Sequence, residues 1–143
     1  MRFVAAERGA ADVQGLVVFA RPVAIEGGLA PLLPRFQIGG ALSTNGKTSH
    51  VHAGFNWTFD VTQKVFVEAS LGGALHDGKT ARPAPVDRNA MGCAGAFRES
   101  VGIGYRLDGN WSVVASLEHL SNAGLCKSNR GLTNLGVGVG YRF

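Results

Sequence analysis

The last twelve residues, LTNLGVGVGYRF, alternate without a break. Thr133, Leu135, Val137, Val139, Tyr141 and Phe143 fall on one side, and Asn134, Gly136, Gly138, Gly140 and Arg142 on the other. Successive side chains of a strand point to opposite faces. The segment therefore reads as a strand with one apolar face ending in aromatics and one small or polar face. The same split recurs upstream. WSVVASLEHLSN places Trp111, Val113, Ala115, Leu117, His119 and Ser121 opposite Ser112, Val114, Ser116, Glu118, Leu120 and Asn122. AFRESVGIGYRL separates Phe97, Glu99, Val101, Ile103, Tyr105 and Leu107 from Arg98, Ser100, Gly102, Gly104 and Arg106. HVHAGFNWTFD, KVFVEASLGGAL and PRFQIGGALS repeat the pattern less cleanly, and VQGLVVFARPV is a seventh strand with a poorer split.

The connections alternate in length. DVTQ and DGN are short, whereas HDGKTARPAPVDRNAMG and AGLCKSNRG are long. Short turns at one end and long loops at the other are the habit of outer-membrane barrels. A soluble antiparallel barrel has the opposite polarity, with its apolar face inside. Here the apolar face is bordered by Trp57, Tyr105, Trp111 and Tyr141, as an interfacial aromatic girdle requires. Composition agrees: 45% of residues are hydrophobic and 17% charged, yet no apolar run is long enough for a spanning helix. The expected fold is all-β, one domain over residues 1–143, an eight-stranded antiparallel transmembrane β-barrel in a bacterial outer membrane.

Seven strands are one short of the smallest closed barrel, and an open edge is not tolerated in lipid. The N-terminal strand is therefore expected to be truncated or missing from this chain. MRFVAAERGA does not read as a signal peptide, since Glu7 and Arg8 interrupt it. Residues 1–10 are read as the remnant of the missing region. With the C-terminus periplasmic, the 76–92 loop and AGLCKSNRG lie outside. Cys93 and Cys126 then fall at the same outer end, where a disulfide is geometrically possible and suits an oxidising compartment; two free thiols are the other reading.

His119 and Ser121 share the apolar face. Polar groups facing lipid are costly, so the pair needs an explanation. A strand tip leaving the hydrocarbon is one. The other is chemical: a His two residues from a Ser on one strand face can serve as general base for a hydroxyl that is too weak a nucleophile alone.

The strings EHLSNAGL and NRGLTNLGVGVGYRF, together with FRESVGIGYRL, resemble the C-terminal end of the lipid A 3-O-deacylase family, the PagL-like outer-membrane acyl hydrolases. The likeness is specific over the last fifty residues or so and rests on strand pattern elsewhere. It implies an eight-stranded outer-membrane barrel that removes the hydroxyacyl chain ester-linked at position 3 of lipid A, using a Ser/His/Glu triad on the outer barrel surface. On this resemblance Ser121 is the nucleophile, His119 the base and Asn129 an oxyanion donor; Gly124 adds a backbone N–H, and Asn122 supports the motif from the inward face.

The resemblance fails at one place. The triad acid falls on Thr133. Its hydroxyl can accept the His119 Nδ1–H and orient the ring, but it brings no charge. If DGN is a three-residue hairpin loop, Leu107 pairs with Trp111 and Glu99 lies directly opposite His119. Opposed residues have Cβ atoms about 5 Å apart, so Glu99 is a candidate for the missing carboxylate. The competing reading places Glu99 in the headgroup layer with no role.

Lys47, Lys79, Arg82, Arg88, Lys127 and Arg130 gather at the outer end, where they suit lipid A phosphates or are ordinary solvated loop charge. His50 and His52 look like a metal pair, but no third ligand is evident, and a hydrogen-bond network inside the barrel is the preferred reading. Glu68, Glu118, Arg35 and Arg98 belong to such networks, since a narrow interior must pair its charges. GVGVG is followed by no helix and is not a dinucleotide loop. No metal or other cofactor is expected, and nucleic acid is not an expected partner. The expected partners are lipopolysaccharide, through lipid A, and outer-membrane lipid; a homodimer is left open. The alternative to a serine esterase is a non-catalytic small barrel with a structural or lipopolysaccharide-binding role.

Overall fold

The computed structural model describes residues 7–21, 27–28 and 30–143. Seven strands follow one another: β1 (Asp12–Val18), β2 (Arg35–Ser43), β3 (His50–Asp60), β4 (Val65–His76), β5 (Gly95–Arg106), β6 (Trp111–Ser121) and β7 (Leu132–Tyr141). They form one antiparallel sheet in sequential order, so β1 and β7 are its two edges. All seven strands expected from the alternation are present. The poorest of them is shorter than its pattern: β1 stops at Val18, although the Phe19 N–H still donates to the Phe36 carbonyl at 2.9 Å. Pro22 and Val23, the end of that expected strand, lie outside the described residues.

The sheet curls on itself. β1 and β6 are five positions apart in the sheet, about 24 Å if it were flat at about 4.8 Å per strand. Yet Gln14 Nε2 on β1 donates to Glu118 Oε2 on β6 at 3.1 Å. The curl sorts the two faces. Leu135, Val137 and Val139 are 70–82% exposed on the outer, lipid-type face. Gln37, His50, His52, Asn56, Ser70, Arg98 and Glu118 are buried inside.

Interior charges meet polar partners, as a narrow lumen demands. Arg98 Nε donates to Glu118 Oε2 at 2.6 Å and Arg98 Nη1 to Ser70 Oγ at 2.9 Å. Nearer the short turns, Arg35 Nη2 donates to Thr58 Oγ1, whose own hydroxyl donates to Glu68 Oε1 at 3.3 Å. The long-loop end is closed by a small apolar plug of Ala74, Met91, Leu120 and Leu132. Trp111 and Tyr141 stack edge-on at 4.8 Å near the short turns. Trp57 Nε1 donates to the Leu32 carbonyl at 2.9 Å.

The DGN turn fixes the register that matters for chemistry. The Leu107 N–H donates to the Trp111 carbonyl at 2.9 Å. From there β5 and β6 pair so that Phe97 faces Ser121 and Glu99 faces His119. On the other side of β6, His119 faces Thr133 of β7.

Candidate active site

β6 delivers His119 and Ser121 to the outward face at its long-loop end, with both side chains half-buried. The imidazole is oriented from β7: His119 Nδ1 and Thr133 Oγ1 are 2.7 Å apart. With Nδ1 protonated, that nitrogen donates to the hydroxyl oxygen and Nε2 keeps its lone pair. Glu99 sits across from His119 in the register and is exposed, but the two side chains make no hydrogen bond among the described residues. Ser121 Oγ and His119 are likewise not hydrogen-bonded to each other.

The floor beneath His119 is Gly131. A Cβ there would stand 3.0 Å from His119 Cε1 and 3.3 Å from Nε2. The residue also has φ +67°, a conformation that glycine adopts without steric cost. Its carbonyl accepts from Asn89 Nδ2 at 2.7 Å. The Asn89 N–H in turn donates to Glu7 Oε1 at 2.9 Å, and Glu7 Oε2 accepts from the Thr48 N–H at 3.0 Å. A buried carboxylate ahead of β1 thus ties the 44–49 and 77–94 connections together, and Asn89 carries the contact on to Gly131.

Past Ser121 the chain turns through two left-handed residues, Ala123 at φ 54° and Gly124 at φ 83°. Asn122 organises this turn from inside, at 2% exposure. Its Nδ2 donates to the carbonyls of Met91 and Ser128, both at 2.6 Å. Its Oδ1 accepts from the Gly124 N–H at 2.8 Å. The Gly124 N–H, expected as an oxyanion donor, is thus engaged by the Asn122 side chain in this structure. Asn129 is placed by the same residue, since its Oδ1 accepts from the Asn122 N–H at 3.0 Å. That contact turns the Asn129 oxygen toward the backbone beside Ser121, and its Nδ2 makes no hydrogen bond among the described residues.

Cys93 and Cys126 form a disulfide with Cα atoms 6.1 Å apart. It joins the segment entering β5 to the loop that carries Asn129. Beneath it runs an outward-facing apolar groove of about 490 Å³, lined by Phe55, Leu71, Ala96, Phe97, Cys93 and Leu125. Phe97, which lines the groove, is the strand partner of Ser121.

Of the loop cations, Lys47 pairs with Asp87, and Arg88 Nη1 lies 3.7 Å from Glu7. The Lys47 hydrogen bond holds the Asp87 carboxyl below its ordinary value. Lys79, Arg82, Lys127 and Arg130 form no ion pair among the described residues.

His50 and His52 point inward as expected, but they do not stand alone. Glu118 joins them, with one donor atom from each of the three within 4.8 Å of the others. The absence of an evident third ligand was an effect of sequence distance, which the curl of the sheet removes. Gly131, Asn89 and Glu7 were also not read from the sequence. The glycine just before the strand that carries Thr133 was the one available signal.

The family model described as Lipid A 3-O-deacylase (PagL) matches residues 33–142. Among solved structures, the crystal structure of the outer membrane enzyme PagL superposes with a TM-score of 0.69 at 18% identity, covering 92% of this chain and 88% of that one. No curated protein matches the chain.

Proposed function

Because the chain belongs to the lipid A 3-O-deacylase family, an outer-membrane β-barrel family, we propose that it hydrolyses the ester holding the hydroxyacyl chain at position 3 of lipid A, with Ser121 as nucleophile. The observation that carries this reading is the 2.7 Å contact between His119 Nδ1 and Thr133 Oγ1. In this reading Nδ1–H donates to the Thr133 hydroxyl oxygen, which leaves Nε2 basic on the face where Ser121 emerges.

In the proposed reaction Ser121 Oγ attacks the ester carbonyl as His119 Nε2 takes its proton. Asn129 Nδ2 donates to the developing oxyanion, a contribution usually worth a few kcal/mol. The tetrahedral intermediate collapses to an acyl-serine, and His119 returns the proton to the departing sugar oxygen. Water, deprotonated by His119, then releases the hydroxy fatty acid and restores the Ser121 hydroxyl. Thr133 orients the ring throughout, and Glu99 supplies negative charge opposite the imidazolium. The apolar groove beneath the disulfide receives the acyl chain from the outer leaflet.

A fluorophosphonate probe tests the nucleophile. Covalent labelling of the folded barrel at Ser121, absent in Ser121→Ala, is expected. An unlabelled but folded barrel would favour a lipopolysaccharide-binding role without catalysis.

A further inference from the structure

The barrel interior holds a second cluster that the deacylation chemistry does not use. Among the described residues, five of the buried side-chain atoms without a hydrogen-bond partner belong to three neighbouring residues: both ring nitrogens of His50, both of His52, and Oε1 of Glu118. The residues are 4%, 6% and 3% exposed. The two imidazoles lie with centroids 5.5 Å apart, and all three residues bring a donor atom within 4.8 Å of the others. His50 Nε2 and Glu118 Oε1 are 3.4 Å apart. Two ligands of a tetrahedral zinc ion with bonds of about 2.05 Å stand about 3.3 Å from each other, so one edge of such a site is already formed. Buried polar groups are normally satisfied, and the four ring nitrogens and Glu118 Oε1 converge with no hydrogen bond among the described residues.

We propose that the interior binds one divalent transition-metal ion, zinc by its chemistry, through one ring nitrogen each from His50 and His52 and through Glu118 Oε1. Two imidazoles and one carboxylate are a borderline donor set that suits zinc and disfavours calcium or magnesium, which take oxygen ligands. The supporting contacts are in place. Arg98 Nε at 2.6 Å and Gln14 Nε2 at 3.1 Å both hold the other carboxylate oxygen of Glu118, Oε2, and so leave Oε1 for the ion. A fourth position remains for water. The ion would tie β3 to β6 across the lumen, immediately behind the strand segment that carries His119. Its role is therefore a cross-brace, with no part in the reaction at Ser121.

Cobalt(II) titration of the tag-free, chelator-treated, detergent-refolded full chain tests the site. The expected result is saturable binding of one ion per chain, with the visible absorption of a low-symmetry four-coordinate site, displacement by zinc, and a raised unfolding temperature. His52→Ala is expected to weaken binding at least 100-fold, and Ser121→Ala to leave it unchanged. Absence of saturable binding by the folded wild-type chain would overturn the proposal, as would undiminished affinity in a folded His52→Ala barrel. Should that variant not fold, X-ray absorption on the wild-type cobalt complex decides: two imidazoles and an oxygen shell support the site, and any shell without imidazole contradicts it.

Discussion

His119 Nδ1 and Thr133 Oγ1 are 2.7 Å apart across the β6–β7 pair. A hydroxyl there can orient an imidazole but cannot neutralise the imidazolium. Thr133→Val should therefore lower kcat about 10–100-fold by releasing the ring. Thr133→Glu, which restores a carboxylate, should raise kcat above the wild-type value. Single-turnover kinetics on lipopolysaccharide measure both. Equal rates for Thr133→Val and wild type would remove Thr133 from the site.

Glu99 faces His119 from the other neighbouring strand. Two unit charges about 5 Å apart at an effective dielectric near 20 interact by about 3 kcal/mol before solvent screening of an exposed group reduces it. Glu99→Gln is expected to cost about tenfold in kcat with KM unchanged, because the charge matters only once imidazolium forms. An unaltered kcat would leave Thr133 as the sole orienting group.

Gly131 has room for no side chain beneath the imidazole. Gly131→Ala would force a methyl to 3.0 Å from His119 Cε1 in a left-handed backbone. Besides about 1–2 kcal/mol of stability, the variant should lose most of its kcat, since the ring must shift. A variant as active as wild type, with only the stability change, would mean that the ring position is not set from below.

The Cys93–Cys126 disulfide closes a loop with a sequence separation of 33 residues. Loss of such a cross-link typically costs about 2–4 kcal/mol. The double variant Cys93→Ser/Cys126→Ser should unfold at a lower temperature and show a higher KM, because the roof of the apolar groove and the Asn129 loop are freed together. Heat-modifiability on gels and steady-state kinetics report the two effects separately; an unchanged KM would detach the disulfide from the groove.

Much of this was legible in the sequence because a barrel strand writes its orientation into every second residue. The tight DGN turn even fixed the partner of His119 by counting from Leu107 and Trp111. That Cys93 and Cys126 share the long-loop end was legible and made a disulfide possible; the structure forms it. What was not legible lies where contacts join distant segments without local periodicity. Glu7 reaches Asn89, Asn89 reaches Gly131, and Glu118 meets His50 only because the sheet curls. The partner of the Gly124 N–H was hidden for a related reason: a motif places a backbone N–H near a site, but only the folded turn shows that the Asn122 side chain accepts from it.

Lipid A hydrolysis itself is the most direct test. The refolded barrel is incubated with lipopolysaccharide, and the lipid A is examined by mass spectrometry beside a Ser121→Ala control. Loss of a single hydroxyacyl chain, absent from the control, is the expected result. Unchanged lipid A from a barrel shown to be folded, or equal loss with Ser121→Ala, would contradict hydrolysis at Ser121.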